Sequence, residues 1–129
     1  MLNKLRIEEE LKKMGITPPE IVFYEETDST NTRAKEYARI AKTKNPVVFV
    51  ADSQTAGRGR LGRSFISNAG AGIYISILTY PDERGADATA ATARAAVSLA
   101  HAVEAECSCK TQIKWVNDLY LGGKKLAGI

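Results

Sequence analysis

Apolar residues along this chain recur with two periods, one close to helical and one alternating, and together they lay out a mixed order of helices and strands. Leu5, Ile7, Leu11 and Met14 partly follow a helical stripe over residues 3–14, and Gly15 with Pro18 and Pro19 closes it. A short strand is expected over 21–26 (IVFYEE). Behind it, Ser29, Thr30 and Asn31 offer hydroxyl and amide N-caps. Ala34, Tyr37, Ala38 and Ala41 then recur at i, i+3, i+4 and i+7, so a helix with a polar mouth should follow. The continuous apolar run 47–51 (VVFVA) reads as a central strand, and 73–80 (IYISILTY) alternates as a second, longer one.

Between those strands, residues 52–72 hold five glycines in 21 residues, a length that marks a functional or disordered loop in a compact domain. Residues 86–106 form the most strongly patterned helix, with Ala93, Val97, Ala100 and Val103 as a small-residue stripe suited to close packing on a sheet. From Thr111 onward the pattern gives a strand, a turn at Asn117 and Asp118, a strand, a Gly122-Gly123 turn and the start of another strand. The apolar run reaching Ile129 has no cap or turn after it, which suggests an edge strand without its sequence neighbour and a domain that stops partway.

Composition narrows the class. With 129 residues, 44% hydrophobic and 26% charged, the chain suits one globular core and excludes disordered, collagenous and fibrous proteins. No run of 18 apolar residues and no hydrophobic signal core occurs, so the expected setting is the cytoplasm, without a membrane partner. Cys107 and Cys109 stand too close for an ordinary structural disulfide, and His101 lies in an alanine-rich helix far from other ligands, so no metal site is expected. Net charge is +3, from 18 basic and 15 acidic residues. No acid lies between Asp52 and Asp82, where Arg58, Arg60 and Arg63 are the only charges; the excess therefore belongs to one loop.

That loop contains Gly57-Arg58-Gly59-Arg60-Leu61-Gly62-Arg63, which formally matches G-x-G-x-x-G. A dinucleotide fold needs those glycines to open a helix directly after a strand; here Asp52 to Ala56 intervene and no helical stripe follows. The Gly-Lys-Ser/Thr of a P-loop is missing as well. Glycines that let a loop change shape, alternating with arginine forks that match carboxylate and phosphate oxygens, fit closure over an anionic ligand. A solvated basic turn is the plainer alternative, and a nucleic-acid contact a third, though +3 overall with little aromatic interleaving predicts weak, salt-sensitive binding. Ser29, Thr30 and Asn31 at a helix start can grip a polar ligand, or serve only as caps. Lys114-Trp115-Val116-Asn117-Asp118 sets an amide and an acid beside an aromatic face, and of Lys124 and Lys125 strand alternation turns one inward.

Asp28-Ser29-Thr30-Asn31, Asp52 through Arg60, Lys114 through Asp118, and Lys125-Leu126-Ala127-Gly128-Ile129, in this order and spacing, resemble the catalytic domain of biotin protein ligases over roughly residues 21–129. The resemblance implies an α+β fold, a mixed, mostly antiparallel sheet with helices packed on one face, related to class II aminoacyl-tRNA synthetases. Residues 1–129 would be the N-terminal part of that catalytic domain, with neither the DNA-binding helix-turn-helix of some members nor the C-terminal barrel. Val116 stands where the family often has proline.

The implied activity is ATP-dependent conversion of biotin to biotinyl-5′-AMP with Mg²⁺, then transfer to a lysine of an acceptor such as biotin carboxyl carrier protein, with no DNA partner and a possible homodimer. By residue-wise analogy Ser29, Thr30, Asn31, Gln54, Gly57, Arg58, Gly59, Arg60 and Lys125 would hold biotin. Arg58, Arg60, Trp115, Asn117, Asp118 and Lys125 would serve ATP and the adenylate, and Arg58, Arg60 and Lys125 would be catalytic. Mg²⁺ would arrive with the phosphates of ATP. Two alternatives stay open: a truncated chain that folds or binds biotin without turnover, and a lipoate ligase-like enzyme.

Overall fold

The structure, a computed structural model, describes residues 2–59, 62–80 and 87–129, in two compact units, residues 1–80 and 81–129. The fold is α+β, with three helices and two three-stranded sheets among the described residues.

In the first unit, helix α1 (Lys4–Lys13) starts at Asn3, whose side chain accepts the Arg6 amide. Its apolar stripe is not buried; Leu5 and Met14 remain exposed. Strand β1 (Glu20–Thr27), helix α2 (Thr30–Ile40) and strand β2 (Val47–Gln54) make a β-α-β unit in which β1 and β2 run parallel, as a helical crossover allows. Strand β3 (Tyr74–Leu78) returns antiparallel to β2, so β2 is the centre of the sheet. Val47, Phe49, Val50 and Ala51 are buried there, as the continuous apolar run predicts for a central strand. Ala34 of α2 packs on Val47 and Phe49, with Tyr37 edge-on to the Phe49 ring at 5.6 Å between centroids.

Two boundaries differ from the sequence reading in ways that matter for the site. β2 does not end at Ala51: Asp52, Ser53 and Gln54 continue it, opposite Glu26 and Thr27. Pairing then runs on past both strands, as the Thr55 amide donates to the Thr27 carbonyl and the Ala56 amide to the Asp28 carbonyl. Backbone hydrogen bonds overrode the polar composition that marks this stretch as loop. β3 is shorter than the alternation over 73–80 suggests.

In the second unit, helix α3 (Ala88–Cys107) is capped by Asp87, which accepts the amides of Thr89 and Ala90, and ends at Ser108 in the left-handed conformation. Ala96 and Ala100 are its buried positions and Ala93 and Val103 are half-buried; of the expected stripe only Val97 is exposed, and Ala96 beside it takes the buried place. Strands β4 (Gln112–Lys114), β5 (Asp118–Leu121) and β6 (Lys124–Gly128) form an antiparallel meander with Leu119 at its buried centre and a bulge at Leu119/Tyr120. The first turn spans 115–117 and the second is Gly122-Gly123, both at positive φ; Asp118, read from sequence as part of the first turn, opens β5. No helix among the described residues is long and apolar enough to cross a membrane.

Candidate functional site

The first cluster forms where β1 hands over to α2. Ser29 is the N-cap of α2 and Thr30 its first residue; both are almost fully buried, at 2% and 4% exposure, an unusual place for hydroxyls unless they are partnered or facing a site. The Ser29 side chain makes no cap hydrogen bond, so its hydroxyl is not committed to the helix as an N-cap serine's usually is. Asn31, one residue on, is exposed.

The polar end of β2 reaches this helix start. Gln54 Oε1 accepts the Thr30 amide at 2.8 Å and the Thr30 hydroxyl at 3.2 Å, while Gln54 Nε2 donates to Ser67 Oγ at 3.0 Å. Gln54, predicted as part of the loop, is thus a strand residue whose amide ties the first turn of α2 to segment 64–68. Because a backbone N–H can only donate, the Thr30 contact fixes which end of the amide is the carbonyl. Ser67, 4% exposed, passes its own proton to the Phe65 carbonyl at 3.2 Å.

The glycine-arginine segment folds back on itself. The Gln54 amide donates to the Ser67 carbonyl, the Phe65 amide to the Gly57 carbonyl and the Gly59 amide to the Arg63 carbonyl, with isolated bridges Gln54↔Ser67 and Arg58↔Ser64. The loop inferred from glycine content is therefore partly paired, residues 57–59 against 63–65 beyond the end of β2, with Gly62 at positive φ. Gly57 is required at its root: a Cβ there would lie 2.5 Å from the Phe65 carbonyl oxygen and 2.5 Å from Ser67 Oγ. A cleft of about 300 Å³ runs between the two arms, lined by residues 54–57 and 64–68. Arg58 is exposed and takes no part in an ion pair among the described residues; Arg60 lies outside the described residues.

Two features escaped the sequence reading. Asp28 is gripped by Arg33, whose Nε donates to Oδ1 at 3.1 Å and Nη2 to Oδ2 at 3.0 Å; Oδ1 also accepts the Ser29 amide at 2.6 Å. The Arg33 fork, then the Ser29 N–H, hold the Asp28 carboxyl below its ordinary range. This braces the backbone at the cap and leaves Ser29 in place. The signal was an acid before the cap with an arginine five residues on, a pair that reads equally well as surface charge. The second feature is Ser76 of β3, whose Oγ lies 2.8 Å from Thr30 Oγ1 and 3.3 Å from Asn31 Oδ1. A lone hydroxyl on the half-buried side of IYISIL was its only trace.

The second unit carries the other cluster. Asp118 Oδ1 accepts from Lys125 Nζ at 2.8 Å and from Asn117 Nδ2 at 2.9 Å, and the Ile129 amide donates to the Asn117 carbonyl at 2.8 Å. Asp118 therefore orients both an amide and a cation. Neither Lys124 nor Lys125 is buried, against the expectation that one turns inward; the bulge breaks the alternation opposite them. Lys125 instead crosses Gly128, where a Cβ would stand 3.1 Å from Nζ. Trp115 is 75% exposed, and the Trp115–Val116 peptide is cis. Among the described residues no group of three or more His, Cys, Asp or Glu side chains could hold a metal ion.

Chemically, the first cluster offers a hydroxyl, a helix N-terminus and an arginine-bearing segment, and the second a lysine oriented by an aspartate. The sequence profile of the Biotin/lipoate A/B protein ligase family matches residues 23–129. Over 117 residues the chain is 36% identical to the bifunctional ligase/repressor BirA of Bacillus spizizenii, covering 91% of this chain and 36% of that protein. It aligns with the biotin protein ligase of Aquifex aeolicus, solved in complex with biotin and ATP, at TM-score 0.73 and 34% identity over 84% of this chain and 44% of that one. For the Leishmania major biotin protein ligase, solved with biotinyl-5-AMP, the TM-score is 0.63 and the identity 30%, over 86% and 51%. The chain thus spans about a third of the length of that curated relative.

Proposed function

We propose that this chain, which belongs to the Biotin/lipoate A/B protein ligase family, supplies the biotin-gripping and adenylate-forming segments of a biotin protein ligase catalytic domain. In the first step a biotin carboxylate oxygen attacks the α-phosphorus of ATP, the bond from that phosphorus to the bridging oxygen breaks, and pyrophosphate leaves, giving biotinyl-5′-AMP. In the second, the amine of an acceptor lysine attacks the acyl carbon, forming an amide and releasing AMP and a proton. The setting is the cytoplasm and the acceptor a biotin carboxyl carrier protein.

The observation that carries this reading is the buried polar knot of Thr30, Gln54 and Ser67 at the root of the glycine-arginine hairpin. A cyclic urea is neutral and demands both donors and acceptors, which the Ser29 hydroxyl, the Thr30 and Asn31 side chains and the Gln54 amide offer together. Bringing a carboxylate to a triphosphate puts two anions together, and the cost is met by preorganised cations. Arg58, Arg60 and Lys125 are those cations; arginine forks match phosphate and carboxylate oxygens in pairs, and Lys125 is held ready by Asp118. Trp115 and Asn117 serve the adenylate side. Mg²⁺ would arrive with ATP, held largely by its phosphates.

A biotin-dependent pyrophosphate-release assay with ATP tests the activity. The expected result is release with biotin, little with lipoate, and at least a hundredfold loss for Lys125→Met, the scale of a removed electrostatic contact. Release with lipoate alone would move the chain to the lipoate branch of its family, and no release with either would leave binding without turnover.

A further inference from the structure

Along β3 the half-buried residues Tyr74, Ser76 and Leu78 alternate with exposed Ile75 and Ile77. Ser76 thus places a hydroxyl on the side of the strand that meets the start of α2, 2.8 Å from Thr30 Oγ1. The direction of the protons follows from one unambiguous donor. The Thr30 amide gives its proton to Gln54 Oε1, so that oxygen is an acceptor and the Thr30 hydroxyl, 3.2 Å away, must also donate to it. A hydroxyl has one proton, so Thr30 can meet Ser76 only with a lone pair, and Ser76 is the donor. Asn31 Oδ1, at 3.3 Å, is a second and weaker claimant on the same proton.

We infer that Ser76 is a positioning residue of the biotin site: its hydroxyl holds the Thr30 side chain from the sheet side, so that Thr30 meets the ligand only as an acceptor, matched to a ureido N–H. This rests on the biotin reading of the site. Between the Gln54 carbonyl and the Ser76 hydroxyl the Thr30 oxygen is held in one rotamer with its own proton committed. Ser76 acts through Thr30 without touching the ligand itself.

Calorimetric titration of the 129-residue chain with biotin tests this. Ser76→Ala should weaken affinity about tenfold, the scale of one hydrogen bond, and Ser76→Thr should restore most of it. Ser76→Cys, similar in shape but a weak donor, should fall between and supplies the test should the alanine variant fail to fold. In a Thr30→Val background, Ser76→Ala should cost less than about twofold more, because the partner is already gone. Ser76→Ala binding like the unmutated chain, or losses that add in full, would overturn the inference while leaving the biotin reading intact. An unmutated chain that binds no biotin removes both.

Discussion

Asp28 sits one residue before the α2 cap, and its carboxylate fixes the backbone on which Ser29 and Thr30 stand. Its pKa is lowered by the Arg33 fork and the Ser29 amide, so its contribution to stability is fully present above the unfolded carboxylate value near 4 and is lost as pH falls through the lower folded value. Asp28→Asn should therefore reduce the urea midpoint at pH 7, and the gap to the unmutated chain should close as pH falls below the ordinary carboxylate range. A gap that stays constant with pH would mean the carboxylate contributes nothing through its charge. At this scale sequence exposed the hydroxyl segment, because Ser29, Thr30 and Asn31 mark a helix start, and the glycine-arginine segment, because its glycines and charges of one sign stand out after a strand. Ser67, Ser76 and Arg33 stayed hidden because a single serine or arginine has no pattern of its own. Only contacts separated by 13 and 46 residues give the two serines a role.

At the scale of elements, β2 does two jobs with one run of residues. Its first half, Val47 to Ala51, is the buried spine of the first sheet; its second half, Asp52 to Gln54, keeps the strand geometry and brings the Gln54 side chain to the start of α2. Apolar periodicity revealed the first half and could not reveal the second, since a polar strand end looks like loop until its backbone partners on β1 are known. The same limitation hid the hairpin at 57–65, whose bonds run between backbone groups. Phe49→Ala empties the centre of this arrangement and should cost about 3–5 kcal/mol in chemical denaturation. That is a large fraction of the 5–15 kcal/mol typical of a domain. A loss under about 1 kcal/mol would mean that β2 is not the spine.

For the molecule as a whole, the two units each present one part of the proposed chemistry: a hydroxyl and amide grip with an arginine hairpin in residues 1–80, and an aspartate-held lysine in residues 81–129. The α+β class and the order of elements were legible in sequence because hydrophobic period, glycine turns and cap residues agree with one another. The partition into two sheets was not, since pairing partners leave no local mark. The central claim, that Ser29 to Asn31 and Gln54 to Gly57 grip biotin, is tested most directly by recording amide resonances of the ¹⁵N-labelled 129-residue chain during titration with biotin. The largest shifts should map to residues 29–31, 54–57 and 64–68 and should saturate together. No shifts at millimolar biotin, or saturable shifts confined to residues outside those segments, would contradict it.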